Sequence, residues 1–161
     1  MPRRRTWSLS RKAHEGLERV YLFFAVQGAV TFYAVVWGGA PERIAGSALA
    51  LAAVATLLLQ GEFATRFVEP ELGVLGVDIF LFAGLLTLAA FADRFWTFWL
   101  AALQGLGSAA HLVRTVDVEM IPVAYAILIA VWSYPMILLV LLGTSRHRRR
   151  LRKRGHDRDW S

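Results

Sequence analysis

Apolar runs at 20–37, 44–59, 72–92, 95–113 and 121–142 fill most of the chain, and the polar breaks between them are short. No other feature limits the fold as strongly. A helix needs roughly 20 apolar residues to cross a bilayer, within a range of about 17–25. The run at 44–59 is the shortest and is rich in alanine, so a re-entrant segment is the alternative to a span there. Lipid offers the backbone no hydrogen-bond partners. Every N–H and C=O must therefore be paired within its own segment, and isolated runs of this length must be helical. The expected fold class is all-α, a polytopic transmembrane helical bundle with about five apolar segments.

Composition agrees with this. Hydrophobic residues make up 57% of the 161, and charged residues only 19%. Average soluble domains are about 45–50% apolar and about 25% charged. A soluble enzyme, a disordered chain and a disulfide scaffold are all disfavoured. The absence of cysteine excludes disulfides, thiolate metal sites and cysteine nucleophiles.

The cations gather at the two ends. Arg3, Arg4, Arg5, Arg11, Lys12 and Arg19 precede the first run, and Arg146, Arg148, Arg149, Arg150, Arg152, Lys153, Arg154 and Arg158 follow the last. Three regions are expected: a basic N-terminal segment at 1–19 that leads helically into the first span, the bundle at 20–143, and a basic juxtamembrane tail at 144–161. Ser8 or Ser10 is expected to cap the first helix. Its arginine-rich start is read as retained, because Gly38-Gly39-Ala40 makes a poor signal-cleavage site. In the tail, Arg148, Arg149, Arg150, Arg152, Lys153 and Arg154 are expected to contact anionic lipid headgroups, each worth about 1 kcal/mol near such a surface. Nucleic acid is not an expected partner, since the cluster directly follows a spanning helix.

Lys and Arg in short loops favour the cytoplasmic side. Both termini are basic, yet five crossings would separate them. With the C-terminus inside, the eight tail cations lie inside with Arg43 and Arg94, and the six N-terminal cations lie outside with Arg66 and Arg114. The dense cluster directly after the last run favours a cytoplasmic C-terminus. The preference for arginine over lysine, with abundant alanine and leucine, fits a GC-rich genome and hence a bacterial inner membrane.

Ionisable or polar groups within apolar runs are costly and usually face protein or water. Asp78 lies about 9 Å into the third run, at 1.5 Å per residue. Gln104, Ser108, His111 and Thr115 follow i, i+4, i+7, i+11 spacing and share one helical face. Beside them, Ala101, Gly105 and Ala109 form a small-xxx-small pattern that admits a close neighbour. Reflection about the Asp93-Arg94 break puts Asp78 within about a turn of Ser108 and His111, as a proton site or as a static lock between helices. Gln27 and Thr31 beside Gly28, and Ala48, Ala52, Thr56 and Gln60, read as packing faces with polar ties. Pro135 cannot donate to Val131, so a kink is expected there.

Recognisable catalytic chemistry is missing. His111 is the only histidine within the runs, so no facing pair is available for haem. No P-loop, H-E-x-x-H or G-x-S-x-G occurs, and the membrane residues supply no metal cluster. No cofactor and no enzymatic activity are expected. The leading expectation is a non-catalytic accessory or assembly subunit that packs against itself or other membrane subunits. The alternative is a small ion- or proton-coupled transporter or channel using Asp78, Gln104, Ser108 and His111.

Overall fold

Long apolar runs without internal breakers fold as long helices. The computed structural model describes residues 3–59, 72–116 and 131–160, with side chains from residue 18 to 110 and from 131 onward within those ranges. Five helices follow in order: α1 (Arg3–Trp37), α2 (Ala40–Leu59), α3 (Leu72–Phe91), α4 (Phe95–Val116) and α5 (Ser133–Arg154). Among the described residues outside the helices, an isolated antiparallel bridge joins Ala92 to Trp160, and residues 156–159 have no regular structure. Three segments are long and apolar enough to cross a membrane: Glu18–Trp37, Ala40–Leu59 and Leu72–Phe91. Residues 117–130, which hold much of the expected fifth span, lie outside the described residues, as does Gln60.

Several boundaries differ from expectation. α1 starts at Arg3, upstream of Ser8 and Ser10, so neither serine caps it. No proline interrupts residues 3–37, and the helix continues without a break into the first span. α2 includes Ala40–Arg43, ahead of the apolar run at 44–59. Pro41 sits in the first turn, where its missing N–H leaves nothing unsatisfied, and Glu42 meets the positive end of the helix dipole. This extension brings α2 to 20 residues, long enough to span. Pro135 lies in the first turn of α5, and Trp132 before it keeps helical dihedrals, φ −71° and ψ −23°. α5 then runs well into the basic tail and stops at Gly155, whose left-handed φ of 73° lets its N–H bond to the Leu151 carbonyl at 2.9 Å.

α1 and α2 form a hairpin closed by Gly38-Gly39, and α3 and α4 form one closed by residues 92–94. The C-terminal half of α5 reaches the same end as both turns, because Arg94 pairs with Asp157 and Gly39 lies against His147. The start of α1 and the C-terminal tail therefore lie at opposite ends of the bundle. The core is apolar, with Leu85, Leu100 and Val140 among its most enclosed side chains. Leu81, Leu85, Leu88 and Ala89 form a single inward stripe on α3.

Small residues bring the helices close. A Cβ on Gly46 would lie 3.1 Å from the Ala34 methyl. Across the same contact, Gln27 donates to Thr31 at 3.2 Å and Thr31 donates to the Gly46 carbonyl at 3.1 Å. The polar ties expected on α1 thus cross to α2, whereas Gly28 faces open space. On α2, Ala48 and Ala52 pack partly against the core, but the buried face is carried by Pro41, Glu42, Ala45, Gly46 and Leu49. Between α4 and α5, the Trp96 indole fills the space a side chain at Gly143 would need, with Cε2 2.7 Å from the Cβ position.

Gly143→Leu should therefore destabilise the bundle by about 1–3 kcal/mol through overpacking. Gly28→Ala, with nothing within 4 Å, should leave stability unchanged. Thermal unfolding in detergent, followed by circular dichroism, compares the two.

Candidate functional site

Charged groups meet where the two hairpin turns and the tail converge. The turn at 92–94 aims Arg94 inward. Its N–H donates to the Ala92 carbonyl at 2.8 Å, and Thr97 donates to the Arg94 carbonyl through both backbone N–H and hydroxyl. The guanidinium is 5% exposed and faces three carboxylates: Asp157 at 2.8 Å, Glu42 at 3.4 Å and Asp159 at 3.5 Å. It also donates to the Asp93 carbonyl at 3.0 Å.

Asp157 links the cluster together. One carboxylate oxygen meets both Arg94 and His147 Nδ1, the latter at 2.7 Å, and the other accepts from Arg150 Nε at 2.9 Å. Burial pushes the Asp157 carboxyl up, but hydrogen bonds from Arg150 and His147 and the charge of Arg94 outweigh it and hold the group below its ordinary value of 3.8. The tail is also held by its backbone, since Asp93 N–H donates to the Asp159 carbonyl at 3.3 Å.

Glu42 is 0% exposed. Its Oε1 faces Arg94, and its Oε2 has no hydrogen-bond partner among the described residues. Gly39 permits this close approach. A Cβ there would collide with Asp159 Oδ1 and lie 2.9 Å from His147 Cε1 and 3.0 Å from Glu42 Oε2. One possible ligand atom each from Glu42, His147 and Asp159 falls within a mutual 4.8 Å. A basic surface adjoins the cluster. Arg148 stands over the rings of Tyr33 and Trp37, at 5.7 and 5.2 Å from their centroids. An open cavity of about 350 Å³ between the end of α1 and α5 is lined by Trp37, Arg43, His147, Arg148, Leu151 and Arg152.

The intramembrane residues singled out from sequence lie elsewhere. Gln104 donates to the Asp78 carboxylate at 3.1 Å and to its backbone carbonyl at 3.3 Å. This contact is about one turn nearer the hairpin bend than the reflection of Asp78 onto Ser108 and His111, and the long Gln104 side chain makes it. Ser108 donates to the Gln104 carbonyl within its own helix at 3.0 Å. The side chains of His111 and Thr115 lie outside the described residues. On the small-residue face, Ala101 is buried, Gly105 accommodates the Phe82 ring, and Ala109 is exposed. Of the tail cations, Arg149, Arg152, Lys153 and Arg154 are exposed, Arg148 stands over aromatic rings, and Arg150 is spent on Asp157.

Sequence reasoning missed Glu42, His147, Asp157 and Asp159, and treated Arg94 as a loop cation. A signal was present: Asp157 and Asp159 are the only acids in an otherwise basic tail. No protein-family model matches the chain, and no curated protein or solved structure matches it.

Removing one partner from a buried charge cluster leaves the others uncompensated, at about 3–5 kcal/mol. Arg94→Ala should therefore lower thermal stability by about that much and open the tail to trypsin at Arg154. The depressed Asp157 carboxyl gives a second expectation. Arg94, Arg150 and His147 favour its charged form, with Glu42 and Asp159 as the neighbouring acids. Its contribution is complete above the ordinary carboxylate value of 3.8 and is lost as pH falls through the lower folded value. A spin label at Arg158→Cys, in a chain with no other cysteine, should stay immobile at pH 5 and become mobile only once pH has fallen below the ordinary carboxylate value of 3.8.

Proposed function

We propose that this chain is a non-catalytic accessory or assembly subunit of a bacterial inner membrane, working through helix packing with its C-terminal tail in the cytoplasm. The observation that carries this reading is the outer face of α3. Ala83, Gly84, Thr87 and Ala90 lie together on the side opposite the buried stripe, and all are exposed, with the exposed Phe80 ring one turn before them on the same face. Small residues on a membrane helix let a second helix approach closely, where dispersion replaces the hydrophobic effect as the driving force. Thr87 donates to the Ala83 carbonyl at 2.8 Å, so its hydroxyl is satisfied and the face can meet an apolar partner.

The polar groups inside the spans also support packing. Gln104 ties α4 to α3 through Asp78, and Thr31 ties α1 to α2 through Gly46. The end of the bundle with both turns and the tail carries exposed Arg43, Arg149, Arg152, Lys153 and Arg154, which favours a cytoplasmic position. Exposed Phe95, Phe98 and Trp99 ring the same end, as expected at a headgroup boundary. Arg43, Arg148 and Arg152 around the open cavity match an anionic lipid phosphate.

Gentle extraction from native membranes, followed by mass and composition of the eluted particle, tests this. A fixed-ratio complex or a homo-oligomer is expected, and Ala83→Leu with Ala90→Leu should convert it to free subunit while the helical content holds. A wild-type protein that elutes as a lone monomer would sink the reading.

A further inference from the structure

We propose that Glu42, His147 and Asp159 form a binding site for a divalent cation of mixed nitrogen and oxygen ligation, such as Zn²⁺, which clips the C-terminal tail onto α2. This goes beyond the packing role above and stands independently of it.

Four observations converge. The possible ligand atoms of the three side chains already lie within 4.8 Å of one another. Bonds of about 2 Å to a shared ion require only small side-chain adjustments from that arrangement. Glu42 Oε2 is buried without a partner among the described residues, in a residue that is 0% exposed. A bare carboxylate oxygen in such a place is costly, and a cation is the group that would satisfy it. His147 is braced as a metal-ligating histidine usually is: Nδ1 meets the Asp157 carboxylate at 2.7 Å. In the tautomer that carries its proton on Nδ1, Nε2 offers the lone pair a metal takes. Gly39 keeps clear the space where Glu42 Oε2, His147 and Asp159 Oδ1 meet.

The carboxylates of Glu42, Asp157 and Asp159 face the guanidiniums of Arg94 and Arg150. Arg94 approaches Glu42 through Oε1 and leaves the Oε2 side to the ion. The Asp159 side chain is 31% exposed, so an ion can reach the site from water. The donor set of one imidazole, two carboxylates and no thiolate suits Zn²⁺ or Mn²⁺.

The test uses the full-length, tag-free protein in detergent, stripped with a chelator and titrated with Zn²⁺ by calorimetry and by metal analysis after desalting. One Zn²⁺ per chain is expected, with a rise in thermal unfolding temperature on loading. Asp159→Asn removes a partly exposed ligand and only the longest contact to Arg94, so it should fold; its Zn²⁺ affinity should fall at least tenfold. His147→Asn should do the same. His156→Ala, at an exposed histidine outside the cluster, should bind as wild type. The proposal is overturned if the folded wild type takes up no Zn²⁺ at micromolar concentration, if Asp159→Asn binds as tightly as wild type, or if His156→Ala abolishes binding.

Discussion

A guanidinium buried at the end of an apolar bundle sets the terms for everything packed around it. Taking Arg94 out of water is paid for only if carboxylates come with it, and they come from parts of the chain far apart in sequence: Glu42 from the start of α2, Asp157 and Asp159 from the tail beyond α5. Such clusters seldom stabilise a fold more than well-packed apolar residues would. Their physical effect is directional. Apolar helix surfaces in lipid attract one another almost equally well at many axial offsets. A charge that must meet its counter-charges at one level removes that freedom. Both hairpins and α5 are held in register at the end where Arg94 sits.

The geometry of that end divides the cations of the basic tail. Arg150 is turned inward to Asp157, and Arg148 lies over Tyr33 and Trp37. Arg149, Arg152, Lys153 and Arg154 remain exposed. Helix periodicity does not make the division, since Arg148 and Arg152, like Arg150 and Arg154, are four apart and share a face; it follows from which cations find a partner on the bundle.

Much of the architecture was legible along the chain. The apolar runs located α1 to α4, and the Asp93-Arg94 break located the α3–α4 hairpin. The i,i+4 pair Gln27 and Thr31 was visible as a polar tie, although its partner carbonyl on Gly46 was not. The start of α2 was misplaced because Glu42 and Arg43 look like loop residues, and only the helix dipole and the buried Arg94 show why Glu42 belongs inside. Asp78 was identified as a polar group within a span, but its contact with Gln104 depends on how two helices cross and how far one side chain reaches.

The sequence by itself determined helicity, the length and apolar character that would let three of the helices cross a membrane, and the concentration of cations at the ends, because these follow from local composition and from the backbone's need for internal hydrogen bonds in lipid. Tertiary structure alone decided which charges are buried and with whom. His147, Asp157 and Asp159 sit in a stretch that reads as solvated tail, and Glu42 lies more than a hundred residues before them. Burial is a property of what surrounds a side chain, and those surroundings exist only once both turns and the folded-back tail have met at one end of the bundle.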